Sequence, residues 1–150
     1  MNNLKQKLHQ ACLNYVQTRM DAAQLAIDEA QQAQQDDTKS SAGDKYETGR
    51  EMAQQETNRN MAQLTEANKL KVALNAINPD LISTQIENGA VVLTNNGNFY
   101  IAISAGALSV DGLAYIAISM ASPIGIKMRG LTAGNNFSLN GKDYTIYSVL

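Results

Sequence analysis

The chain has 150 residues and a mass of 16.2 kDa, with 44% hydrophobic and 17% charged side chains and a formal net charge of −2. That size suits one or two small domains. The charge excludes a generally basic nucleic-acid binder, no apolar run approaches the roughly 18 residues of a membrane span, and the lone Cys12 cannot form an internal disulfide. The opening MNNLKQKLHQ lacks the apolar stretch of a signal peptide. A soluble, cytoplasmic protein is expected, with no membrane contact and no DNA binding of its own.

Composition changes near Pro79. Residues 1–78 contain Gly43 and Gly49 and no proline, whereas the remainder holds every other glycine, both prolines and most aromatics. Most charged side chains lie on the first side. Pro79 also disfavours helix at Asn78, so a boundary is expected at about residues 78–88, between domains 1–78 and 79–150.

The first half is rich in Ala, Gln, Glu, Lys, Met and Leu, which favour helix. Leu8, Cys12, Val16, Met20, Ala23, Ile27 and Ala30 form one apolar face at steps of three and four. A second stripe runs through Met61, Leu64, Ala67, Leu70 and Leu74, continued more thinly by Tyr46, Gly49 and Ala53. Between them DDTKSSAGDK loses the period and collects turn formers. Two amphipathic helices about a short polar loop predict an antiparallel helical hairpin, a coiled coil roughly 45 Å long at 1.5 Å per residue.

The second half changes period. AVVLT (90–94), NNGN (95–98) and FYIAIS (99–104) predict strand, turn and strand, and LAYIAIS (113–119) another strand. SPIGIKM (122–128) predicts a short helix with Ser122 as N-cap and Pro123 at its first position. NFSLN, Asn140-Gly141 and KDYTIYSV predict a final tight hairpin. The fold class is α+β, with a small, mostly antiparallel sheet carrying a short helix.

Charge is unevenly spread along the hairpin. Asp28, Glu29, Asp36, Asp37, Asp44, Glu47, Glu51 and Glu56 outnumber Lys39, Lys45 and Arg50 around the turn. Lys5, Lys7, Arg19, Arg59, Lys69 and Lys71 outnumber Asp21 and Glu66 towards the other end. Two readings stay open for this acidic tip at about residues 36–47. It solvates an exposed loop, or it delivers carboxylates into another molecule's metal site. Asp36 and Asp37 oppose the dipole at the end of the first helix, and hard oxygen donors suit Mg²⁺.

A helical hairpin with an acidic tip followed by a small β-rich domain resembles the bacterial transcript-cleavage factors GreA and GreB. The specific match is ISMASPIGIKMRGLTAGNNFSL (118–139), similar to that family's Ile-Ser, Ser-Pro-hydrophobic-Gly, a further Gly, and Gly-Asp before a strand. The matching positions are Ile118, Ser119, Ser122, Pro123, Ile124, Gly125, Gly130 and Gly134, with Asn135 in place of Asp. The resemblance implies an FKBP-like C-terminal domain that docks on RNA polymerase through Ser122, Pro123 and Ile124, with Lys127 and Arg129 as an adjacent basic contact. It implies a coiled coil inserted in the polymerase secondary channel, where tip carboxylates share Mg²⁺ with the polymerase. The polymerase's own site then cleaves backtracked RNA at the nascent 3′ end. The chain would be an accessory factor, not an enzyme, and would hold no cofactor alone.

The tip departs from the family pattern of Asp, two residues, Glu-Asn, one residue, Glu-Tyr. Aligned on Asp37, the Glu-Asn positions hold Ser40 and Ser41, and Tyr46 falls two residues late, after Asp44. Asp37 and Asp44, with Asp36 assisting, are the candidate catalytic and metal-sharing residues. Related paralogues enter the channel and inhibit or modulate instead. A coiled-coil adaptor unrelated to polymerase is the reading of another class.

His9 and Cys12 are expected as an exposed histidine beside a packed cysteine. Met20, Met52, Met61 and Met128 are expected as core filler. Phe99, Tyr100, Tyr115, Phe137, Tyr144 and Tyr147 fill the core or line an FKBP-type pocket, and fold alone does not argue for isomerase activity.

Overall fold

The computed structural model describes residues 2–39 and 43–150, with the side chains of residues 2, 34–48 and 50 outside the description. Two long helices come first, α1 (Asn2–Lys39) and α2 (Gly43–Asn75). The strands β1 (Val91–Thr94), β2 (Gly97–Ile101), β3 (Gly106–Val110) and β4 (Leu113–Ile118) follow, then α3 (Pro123–Met128), β5 (Asn136–Leu139) and β6 (Lys142–Val149). The chain is thus α+β, a long helix pair and a six-stranded mixed sheet. It divides into two compact units, Met1–Tyr15 with Val72–Leu150, and Val16–Lys71.

The sheet order is β3-β4-β2-β1-β6-β5. Neighbours pair antiparallel except β2 and β4, which run parallel with Tyr100 opposite Ala117. The crossover between those two is β3, a strand that the expected pattern left out. It joins β4 through Asp111 and Gly112, with φ of 53° and 80°, the left-handed pair that a two-residue hairpin turn requires. Asn140 and Gly141, at 52° and 79°, make the same turn between β5 and β6 as expected.

A bulge follows Leu93, where β1 skips Tyr147 of β6 and leaves that ring 62% exposed. Asn95 bridges the irregularity: its Oδ1 accepts from the Thr145 N–H at 2.7 Å, and the neighbouring Asn96 side chain donates to the Asp143 carbonyl at 2.7 Å. The turn is thereby tied to the strand beyond it.

One face of the sheet carries the larger core. Val92, Phe99, Ile101, Ile118, Phe137, Tyr144 and Ile146 bury there with Met128 of α3 and Ile86 and Ala90 of the connector before β1. Phe137 stacks on Tyr144 at 4.7 Å between ring centroids, and Phe99 meets Tyr144 edge-on at 6.2 Å. Strand alternation sends Tyr100 to the other face, where its ring is fully buried and its hydroxyl meets His9 of α1.

The helices separate into one buried stripe and a polar surface each. On α1 Leu8, Cys12, Val16, Ala23 and Ile27 are buried, with Met20 and Ala30 half-buried, as expected. Gln10, Gln17 and Gln24 recur every seven residues, each donating to the side-chain oxygen four residues on. Such pairs add a few tenths of a kcal/mol each, on the order of 0.2–0.5. Most of the expected α2 stripe is found: Ala67 and Leu74 are buried and Gly49, Ala53, Leu64 and Leu70 half-buried, while the Tyr46 side chain lies outside the described residues. Met61 departs from it at 50% exposed, and among the described residues Thr57 and Asn60 are buried in addition. Met52 is exposed too, so only Met128 of the four methionines is fully buried.

Candidate functional site

The expected polar loop is shorter than its composition suggests. Helix α1 runs on through Lys39 and α2 begins at Gly43, leaving three residues between them. Asp36 and Asp37 fall in the last turn of α1 and Asp44 in the first turn of α2, and their side chains lie outside the described residues. Among the described residues, His, Cys, Asp and Glu form no cluster of three that would hold a metal.

The second expected site is α3, and local chemistry explains its start. Ser122 has extended backbone, φ −68° and ψ 158°, and its Oγ accepts from the Gly125 N–H at 3.1 Å. The same hydroxyl donates to the Ser119 carbonyl at 2.6 Å, so Ser122 caps the helix and seats it on the preceding turn. Pro123 at the first position loses no hydrogen bond there. Gly125 is the contact point: a Cβ would collide with the Ser119 carbonyl oxygen and lie 2.9 Å from that of Met120. The Ser-Pro-hydrophobic-Gly run is therefore a helix-seating device in this chain, whatever else it does.

The five residues assigned to partner binding divide. Ser122 is spent on the cap and Ile124 packs against the core. Pro123, Lys127 and Arg129 are exposed on the surface of α3. Ile126, 64% exposed between them, belongs with these three. Its place one turn after Pro123 was the available signal, hidden because an isoleucine in a short apolar run resembles core. The exposed surface is thus one proline, one large aliphatic side chain and two cations, suited to a partner with an apolar recess and acidic rim.

Asn135 supplies an oxygen acceptor to the turn before β5. Its Oδ1 accepts from the Thr132 N–H at 2.8 Å and the Thr132 hydroxyl at 3.2 Å. An amide oxygen serves this turn as a carboxylate would.

His9 corrects its expectation. It is 8% exposed, not solvent-facing, and its Nδ1 lies 3.1 Å from the Tyr100 hydroxyl. Desolvation holds the imidazole below the ordinary histidine value and pushes the buried Cys12 thiol up to about 12. Burial also raises the Tyr100 phenol. In all three, burial favours the neutral form. They suit a packed polar contact and leave no thiolate for nucleophilic chemistry.

No described helix is long and apolar enough to cross a membrane. Compared with family models, with curated proteins and with solved structures, the chain matches none.

Proposed function

We propose that the chain is a Gre-like transcription elongation factor that binds RNA polymerase and stimulates the polymerase's own cleavage of backtracked RNA. One observation carries this reading: a long helix pair is followed by a sheet domain whose Ser122-capped helix exposes Pro123, Ile126, Lys127 and Arg129. The residues of the resemblance thus include a surface free to dock as well as the positions that build the helix.

The helix pair is read as an antiparallel coiled coil. Ala53, Thr57, Asn60, Leu64, Ala67, Lys71 and Leu74 alternate steps of four and three, and all are buried or half-buried. That is the spacing of a coiled-coil seam. The three-residue link from Lys39 to Gly43 favours an antiparallel return. The sheet domain is read as FKBP-like, on the resemblance of residues 118–139.

In this reading Asp37 and Asp44, with Asp36 beside them, supply carboxylate oxygens at the polymerase active site. They would help to hold Mg²⁺ there, which when bound would supply an activated water and charge stabilisation for the leaving oxygen of the phosphodiester. The chain contributes ligands and position, and holds no nuclease site of its own. Lys127 and Arg129 would steer and orient docking on an acidic surface.

The test is RNA shortening in a stalled, backtracked elongation complex with Mg²⁺, with and without the protein. Faster 3′ shortening that Asp37→Ala and Asp44→Ala abolish supports cleavage stimulation. Reduced cleavage by a true Gre factor, with none added, makes the chain a channel-binding inhibitor, which the serines at positions 40 and 41 favour. Neither effect leaves the coiled-coil adaptor.

A further inference from the structure

Between α2 and β1 the chain makes a connector with its own anchor points. Asn78 Oδ1 accepts from the Asp80 N–H at 2.9 Å, turning the chain about Pro79. Ile86 exchanges backbone bonds with the segment after α3, its N–H donating to Leu131 at 2.8 Å and its carbonyl accepting from Gly130 at 3.1 Å. Gly89 sits at φ +91°, and a Cβ there would come within 3.0 Å of the Ile77 side chain. These anchors hold open a cleft of about 440 Å³ lined by residues of α1, α2 and the connector, a volume in the range of small-molecule sites.

Lys5 enters this cleft although it is only 4% exposed. Its Nζ donates to the Leu81 carbonyl at 2.6 Å and to the backbone oxygen of Leu150 at 3.0 Å. Two of three ammonium protons are thereby used among the described residues. Glu87 lines the same cleft, and its Oε1 accepts from the buried Ser83 hydroxyl at 3.1 Å. Burial lowers the Lys5 ammonium and the Glu87 charge opposes that shift, yet the two do not close into an ion pair. Opposite charges are thus held apart in one cleft, each with hydrogen-bonding capacity left.

A ligand of one sign would meet attraction from one group and repulsion from the other, whereas a zwitterion satisfies both. The remaining wall is apolar: Ala73, Ala76, Ile77 and Leu81. We propose that the cleft binds a small zwitterion with an aliphatic side chain, an α-amino acid or dipeptide, its carboxylate on Lys5 and its ammonium on Glu87. The site is independent of polymerase binding.

Isothermal titration of the full chain with L-leucine and L-alanyl-L-leucine tests this. N-acetyl-L-leucine and L-leucinamide, each lacking one charge, are the controls. Expected is saturable binding of at least one zwitterion, weakened about tenfold or more when either end is blocked, as loss of a charge-assisted hydrogen bond implies. Glu87→Gln, at an exposed position, should cause a similar loss, and Ala73→Leu, filling the cleft from the exposed face of α2, should abolish binding. No binding of either zwitterion overturns the proposal. So does equal binding of the blocked ligands, or full affinity in Glu87→Gln with circular dichroism unchanged.

Discussion

The two compact units treat buried polar groups in opposite ways. In the unit that contains the sheet, Lys5 finds two backbone oxygens, His9 meets the Tyr100 hydroxyl, Ser83 donates to Glu87, and Thr94 donates to the Gly97 carbonyl while accepting from Asn96. In Val16–Lys71, Thr57 Oγ1 and Asn60 Nδ2 are buried without a partner among the described residues. The sheet unit offers backbone carbonyls and turns at many angles, so a buried polar atom can be matched. Helix backbone groups are paired internally and accept a side chain only in the local geometry by which Thr65 reaches the Met61 carbonyl, so a buried polar atom there depends mainly on neighbouring side chains. With alanine prominent in the stripes, there is little to match with. An unmatched polar layer costs stability, and in coiled coils such layers specify register.

The sharpest way to break this comparison is at Gly125. Replacing it with Ala forces a methyl into the Ser119 and Met120 carbonyls, and a loss of about 3 kcal/mol in urea unfolding is expected. A loss under about 1 kcal/mol would mean that α3 shifts freely on its turn.

Next comes the His9 contact. Tyr100→Phe leaves a buried imidazole nitrogen unpaired and should cost about 2 kcal/mol. The pH dependence has a defined sign. The folded chain resists protonation at His9, so stability present above the ordinary value of 6.5 falls as the pH drops through it and on to the lowered folded value. His9→Gln should flatten that slope in unfolding measured from neutral to mildly acidic pH.

In the helix unit the sign reverses. Thr57→Val and Asn60→Leu remove unmatched polar atoms and should each raise stability by about 1 kcal/mol. Thermal melts of the single and double variants check this. Destabilisation in both would show that the layer is matched in solution and would erase the contrast.

The smallest effect belongs to the surface. The Lys7–Asp111 pair, 3.0 Å apart with side chains 49% and 66% exposed, should contribute less than about 1 kcal/mol. Lys7→Gln should be near neutral, and any effect should vanish in high salt.

Parts of this were legible in the residues and parts were not. The Ser122 cap, Pro123, the Asn140-Gly141 turn and the α1 stripe follow from local rules, because cap, turn and helical period depend on neighbours within a few residues. The Asp111-Gly112 turn is a local signal of the same kind, although β3 before it shows no clear period in its sequence. It sits where the flanks, GALSV and LAYIA, look like loop and strand when read separately. The α2 seam was legible at Ala53, Leu64, Ala67 and Leu74 but not at Thr57 and Asn60, whose polar side chains break the apolar period.

Sequence alone determined where the chain changes from helix to strand and where the Asn140-Gly141 turn and the Ser122 cap fall, since those depend on propensity and local backbone sterics. Only the tertiary structure decided that Lys5 and His9, two ordinary polar residues on a helix, are buried. The Lys5 bonds to Leu81 and Leu150 span 76 and 145 positions, and the His9 contact with Tyr100 spans 91. A side chain's cost of burial depends on the partner it meets, and no local window contains a partner so far along the chain.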